Sequence, residues 1–232
     1  MTILEEPPTR NLFPALVHGE RLDQPTFHER YEAMPAETRA ELIEGTVYIM
    51  PSPVSVEHFA PHVSIIGWLL HYVIEVPGLQ VVDNGTLVMG LDKEPQPDVA
   101  MLILPLYGGR TRTKQVKNKT YVEGAPELLV EISVSTTWLD LNPKKRDYAA
   151  AGVEEYIVVQ PEKRTIHWFY LVNGSYETSQ PDADGIYRSR VFPGLWMDPI
   201  ALLDDDKKRV RAIVQQGLAS PEYAAWADGR GV

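Results

Sequence analysis

The stretch "PELLVEISV", residues 126 to 134, decides the fold. Leu128, Leu129, Val130 and Ile132 form a near-continuous apolar run of strand length, the pattern of a strand covered on both faces. Glu131 interrupts that run. An ionised carboxylate in a low-dielectric interior costs several kcal/mol unless a cation, a metal or good donors compensate it. Glu131 therefore needs a partner, and the search for one organises the rest of the chain.

Downstream, "LNPKKRDYAAAGV" predicts a helix with Asn142 as N-cap, Pro143 in its first turn and Gly152 as its stop. The strand "EYIVVQP" follows, and strand, helix, strand in that order implies a right-handed crossover between parallel neighbours. Upstream, "AELIEGTVYIMPSP" reads as a hairpin turning at Glu44-Gly45, followed by a helix from about Pro61 to Ile74. "LQVV", the turn at Asp83 to Gly85 and "TLVMGL" read as a second hairpin. "PDVAMLIL", residues 97 to 104, is a strand buried on both sides after Asp98. "TIHWFYLV", the turn Asn173-Gly174 and a strand near residues 187 to 192 continue an antiparallel meander, and two amphipathic helices close the chain. The expected class is α/β (α+β), a mixed central sheet flanked by helices. Residues 1 to 24, rich in proline and without periodicity, read as an arm, and residues 25 to 232 as a single domain.

The 232 residues carry a formal net charge of -10 and no cysteine. Disulfides and thiolate chemistry are excluded, and the composition fits a reducing cytoplasm. The opening "MTILEEPPTRNLFP" lacks the basic start and apolar run of an export signal, and no apolar stretch suits a membrane partner. Net acidity disfavours loose attraction to nucleic acid, so any polyanion contact must be local. The densest basic run is "RTRTKQVKNKT", residues 110 to 120, with Arg110, Arg112, Lys114, Lys117 and Lys119 and no acid among them; it reads as a solvated loop.

If the strands of Asp98 and Glu131 are neighbours, their carboxylates converge at one sheet end. Two carboxylates with waters and a phosphate suit Mg²⁺ or Mn²⁺. Such an ion offsets both the burial of Glu131 and the repulsion between the acids. Lys144 follows the Glu131 strand, with Asp140 four residues before it and Tyr148 four after, a spacing that puts them on one helix face. A lysine there neutralises charge at a phosphoryl group or orients a water. His58 and His62 have the i, i+4 spacing of a zinc pair, but Pro61 lies between them and no Cys or third His is near in sequence, so His58 is taken as a site-edge residue or a cap.

The ordered set "ELIEG", a His after a Pro-rich turn, "PD", "PELLVEIS" with "ST", Asp, Lys and Tyr at four-residue spacing, and "GVEEYIVV" resembles the bacterial endonucleases of the PD-(D/E)XK, restriction-endonuclease-like superfamily over about residues 38 to 160. The resemblance implies a Mg²⁺- or Mn²⁺-dependent DNA endonuclease. In it Asp98 and Glu131 bind the metal with the Ile132 carbonyl as a further ligand, Lys144 acts in catalysis, and Glu41 or Glu44 lies at the site edge. His58, Tyr148, Arg110, Arg112 and Lys114 are the expected substrate contacts, and two cuts across a duplex suggest a homodimer. One departure stands out. The superfamily's E-x-K motif puts lysine at position 133, where this chain has Ser133, and Lys144 supplies the cation instead. That departure and the acidic net charge also fit a different class, a catalytically inactive nucleic-acid-binding or scaffold module with the same fold. A hydrolase of another small phosphoester is a third reading.

Overall fold

The structure is a computed structural model that describes residues 13–50 and 56–230. Among these, the first helix, α1, covers Gln24–Tyr31 behind an Asp23 N-cap. The hairpin β1 (Arg39–Ile43) and β2 (Thr46–Met50) turns at Glu44 and Gly45, both with positive φ, 50° and 70°. Such a turn has the twist that antiparallel strands need. Helix α2 runs Val56–Val73, and β3 (Leu79–Asp83), β4 (Leu87–Val88) and β5 (Val99–Ile103) follow. Then come β6 (Arg112–Val116), β7 (Lys119–Glu123) and β8 (Leu128–Ile132), the strand that carries Glu131. A continuous helical segment follows: α3 (Thr137–Leu139), a π turn (Asp140–Lys144) and α4 (Lys145–Ala151). The remainder is β9 (Glu155–Gln160), β10 (Thr165–Val172), β11 (Ser175–Thr178), β12 (Tyr187–Arg188) and β13 (Trp196–Met197), then α5 (Pro199–Leu203), α6 (Lys207–Leu218) and α7 (Pro221–Arg230). No helix among the described residues is long and apolar enough to cross a membrane.

The central sheet has six strands in the order β11-β10-β9-β8-β5-β3. β8 and β9 are parallel, and the other pairs are antiparallel, so the sheet is mixed as expected. Period-two alternation gives the sheet two covered faces. Val99, Met101, Leu128, Val130, Ile157 and Val159 pack beneath Ile65, Trp68, Leu69 and Tyr72 of α2. Ala100, Leu129, Tyr156 and Val158 pack on the other face with Tyr148 and Val153 of the α4 region. Glu131, two residues from Leu129, and Asp98, two residues from Ala100, fall on this second face.

Four expectations are corrected. The stretch around Asp83 to Gly85 is not a hairpin: β3 pairs with β5, and β4 pairs in parallel with β7. The basic run is not a loop but the antiparallel hairpin β6–β7. β12 pairs with β13 in a separate two-stranded sheet rather than extending the meander. Asn142 does not cap a helix, because helical structure begins at Thr137; its amide donates to the Trp138 carbonyl, 2.9 Å away. Pro143 has no N–H for the i→i−4 ladder, and the helix widens into a π turn over Asp140–Lys144 before regaining α geometry. It stops as predicted at Gly152, whose φ of 87° suits a residue without Cβ. Of the N-terminal arm, residues 13 to 23 include Leu16, buried with Phe27 and Leu42, and main-chain bonds from Gly19 and Leu22 to the hairpin.

Glu155, at the start of β9, is fully buried and clamps the turn at residues 189 to 191. It accepts from the Arg190 amide at 2.7 Å, the Val191 amide at 3.0 Å and the Ser189 hydroxyl at 2.9 Å. Burial pushes its carboxyl up to about 7 against those donors. A folded-state value above the unfolded one means the contribution is present when the group is protonated and is lost as pH rises through the folded value. Relative to Glu155→Gln, which cannot ionise, the wild type is expected to lose about 1–3 kcal/mol between about pH 4.5 and about pH 7.5. Urea unfolding across that range measures it, and a gap that stays constant with pH would refute the assignment.

Candidate functional site

The site is assembled on the second face of the sheet, where β5 begins and β8 ends. The β5–β8 register pairs Val99 with Val130, which sets Asp98 opposite Glu131 and Pro97 opposite Ile132 one step and two steps further on. Proline has no N–H to offer the Ile132 carbonyl. The Ile132 amide donates to the Asp98 carboxylate, at 2.7 Å to Oδ2. The two acids singled out in the sequence thus lie side by side across adjacent strands.

The β1–β2 hairpin brings a third acid. Leu42 and Glu94 exchange main-chain hydrogen bonds, and two residues on the Gln96 amide donates to Glu41 Oε1 at 2.9 Å, which holds Glu41 beside the chain entering Asp98. The helical segment brings a fourth acid and the cation. Lys144 Nζ lies 2.8 Å from Glu41 Oε2, 3.0 Å from Glu131 Oε1 and 3.8 Å from Asp140 Oδ1. Tyr148 donates its hydroxyl to the same Glu131 oxygen at 2.7 Å. Thr136 donates to Asp140 Oδ2 at 2.6 Å, while Asp140 Oδ1 is buried with no hydrogen-bond partner among the described residues. Glu41, Asp98, Glu131, Asp140, Lys144 and Tyr148 are all buried, and Asp98, the most open of these six, is 6% exposed.

Three carboxyls therefore face one ammonium in a low dielectric, with a fourth, Asp98, beside Glu131. Burial works against the Lys144 charge, but Glu131, Glu41 and Asp140 outweigh it and hold the amine above its ordinary range. Burial pushes Glu131 well up; Lys144 pulls it back, and Asp140, Asp98 and Glu41 push it further. Asp140 is raised by burial against the pull of Lys144, Thr136 and Ser133. This is the response of a cluster short of positive charge. A cation fits that deficit, and the donor set is all oxygen, the preference of a small hard ion. Among the described residues no three acids or histidines form a ready cage. A metal here would be held by two carboxylates and a main-chain carbonyl, with water completing its shell, the usual protein share of a Mg²⁺ site.

The structure brings together Asp98, Glu131, Lys144, Glu41 and Tyr148, with Ile132 bonded to Asp98. It does not bring Glu44, which sits in the hairpin turn and forms a two-point pair with Arg146 at 2.7 and 3.0 Å. Nor does it bring the basic run to the cluster. Arg112 and Lys114 pair with Glu123 at 2.6 and 3.3 Å, and Arg110 with Glu154 at 3.1 Å and Glu127 at 3.6 Å, so acids from neighbouring segments oppose a run that contains none. The His58 side chain lies outside the described residues. Asp140 is the member that the sequence reading left without a role. Its signal was the four-residue spacing to Lys144. Ser133, where an E-x-K motif would have its lysine, donates to Thr137 at 3.0 Å, and the amine beside Glu131 is that of Lys144.

The model of a family named Uma2 and described as "Putative restriction endonuclease" matches residues 26–202. The chain belongs to the Uma2 family. No curated protein matches it. A crystal structure described as that of "a putative nuclease belonging to DUF820" from Anabaena variabilis ATCC 29413 is similar at a TM-score of 0.56 and 19% identity, covering 75% of this chain and 97% of that one. That likeness shows the fold, and Uma2 membership supports a nuclease function, a hydrolase acting on nucleic acid.

An excess of buried acid predicts unequal effects of neutral substitutions. Lys144→Met, which strands Glu41, Glu131 and Asp140 around an apolar tip, is expected to cost about 3–5 kcal/mol. Glu131→Gln keeps an acceptor for Lys144 and Tyr148 while removing one repelled charge, and is expected to cost less than about 1 kcal/mol. Urea unfolding in EDTA at neutral pH measures both. Equal losses would contradict a cluster short of cations.

Proposed function

We propose that this Uma2 protein is a DNA endonuclease dependent on Mg²⁺ or Mn²⁺. In this reading Asp98 and Glu131, with the Ile132 carbonyl, hold the cation. The observation that carries it is the cross-strand placement of Asp98 beside Glu131 with the Lys144 amine 3.0 Å from Glu131. The charge deficit, the orphaned Asp140 oxygen and the proline facing Ile132 support it. When bound, the ion supplies Lewis acidity at a phosphoryl oxygen and an acidified water.

The chain's own groups divide the remaining work. Three carboxylates keep Lys144 charged, so it acts as a donor and a fixed positive charge rather than a base; it neutralises charge at the scissile phosphate or orients the attacking water. Tyr148 and Lys144 share one oxygen of Glu131 and fix the direction of that carboxylate. Glu41 ties Lys144 to the hairpin. Arg110, Arg112 and Lys114 contact a DNA backbone only by exchanging Glu123, Glu127 or Glu154 for phosphate. Cutting both strands of a duplex takes two such sites, which a homodimer supplies. A chain without cysteine suits the reducing cytoplasm where such an enzyme meets DNA.

Cleavage of plasmid and single-stranded DNA by the purified protein tests the proposal. Activity is expected with Mg²⁺ or Mn²⁺ and none in EDTA, and Asp98→Ala or Glu131→Ala is expected to reduce it by at least about 100-fold. Full activity in EDTA, or unchanged activity in Asp98→Ala, would remove the mechanism. DNA retention that weakens with salt, needs no metal and leads to no cleavage would favour the scaffold reading that Ser133 and the paired basic residues motivate.

A further inference from the structure

Asp98 precedes the first residue of β5, so its main chain lies just outside the sheet ladder, and it follows a proline. Three donors from three different elements fix it. The Ile132 amide at the end of β8 binds its carboxylate at 2.7 Å, the Asn84 amide after β3 binds its carbonyl at 3.0 Å, and His62 Nε2 on α2 lies 3.1 Å from the same carbonyl. Two of these donors are main chain, whereas His62 is the one that a substitution can remove. Its Nε2 also lies 3.0 Å from Asp83 Oδ1. Both neighbours are acceptors, which places a hydrogen on Nε2 to be shared between them. The ring is buried, and α2 is held firmly below it. Trp68 donates its indole to the Trp196 carbonyl at 2.9 Å, and Tyr72 its hydroxyl to the Pro193 carbonyl at 2.7 Å.

We propose that His62 is a positioning residue for Asp98, on the reading that Asp98 holds a divalent cation. The rigid helix α2 sets the carbonyl of Asp98 through the imidazole, β8 sets its carboxylate through the Ile132 amide, and together they fix the direction of that carboxylate. Asp83 orients the imidazole from the solvent side, where it is 59% exposed.

Mn²⁺ binding to the full chain, read by the electron paramagnetic resonance of the free ion and by calorimetry, tests this without relying on cleavage. His62→Leu is expected to weaken Mn²⁺ binding by about 10-fold or more, the usual effect of losing a group that orients a metal ligand. His62→Gln, which returns an N–H at a similar reach, is expected to stay within about threefold of wild type. A purely structural role would not be restored in this way. Asp83→Ala, a surface change that leaves the core intact, is expected to weaken binding by a smaller factor, about two- to fivefold, and serves if His62→Leu does not fold. Wild-type affinity in His62→Leu, no recovery in His62→Gln relative to His62→Leu, or unchanged affinity in Asp83→Ala would overturn the role of His62. A wild-type chain that binds no Mn²⁺ overturns the metal reading itself and this role with it, so the two failures are distinct.

Discussion

A lysine ammonium enclosed by three carboxylates is the constraint on which the rest of this molecule depends. Lys144 bonds Glu41 from the hairpin and Glu131 from the central sheet, and it faces Asp140 one helical turn away. In a medium of low dielectric those acids repel one another strongly, and a single cation at about 3 Å from two of them is what lets three separate elements pack together. The arrangement fixes relative position as much as energy. A hairpin that slid by one residue would withdraw Glu41 from Lys144 and turn it away from the Gln96 amide, because side chains alternate faces along a strand.

The backbone devices around the cluster have the same end. Pro97 has no N–H to give a ladder hydrogen bond at the entry to β5, and beside it the Ile132 amide donates to the Asp98 carboxylate. Pro143 likewise has no N–H to give inside the helix that follows β8, and the resulting π turn spans Asp140 to Lys144, the two residues that face each other in the cluster. π turns are rare and often mark functional positions. Two prolines thus relax regular pairing where a strand edge and a helix turn present charge to a shared volume, while the apolar faces on either side of the sheet stay closely packed.

How much of this is legible in the sequence depends on the range of the interaction that decides each feature. The Glu131 run, the Glu44-Gly45 and Asn173-Gly174 turns and the Gly152 stop are local, and the structure has them. A near-continuous apolar run with an acid at the fourth position of β8 was enough to demand a partner, and the i, i+4 spacing was enough to nominate Lys144. The pairing of β3 with β5 rather than with β4 was not legible, since "DNG" is a hairpin signal that long-range strand pairing overrides. The basic run could not be read as neutralised, because Glu123, Glu127 and Glu154 lie outside it and reach it only in the fold. Between Glu41 and Glu44 the sequence offered no choice. Register makes it: Glu41 lies opposite Tyr48 on a buried strand, whereas Glu44 occupies the turn and pairs with Arg146 at the surface. His62 shows the same limit, since its only sequence signal was a spacing to His58, and its partner Asp98 is 36 residues away.

A fold selected for stability alone would not concentrate acids in this way. Replacing buried ion clusters with apolar side chains of similar volume is commonly neutral or stabilising. Here the surrounding β-strands are already apolar, and Leu129 and Ala100 on the same face show that such residues fit. The chain nevertheless sets Asp98, Glu131, Glu41 and Asp140 into that face and supplies one lysine against them. Under the proposed function a further cation joins the cluster, and its charge relieves the mutual repulsion of the acids. Lys144, the last residue of the π turn, brings its amine to 3.0 Å from Glu131.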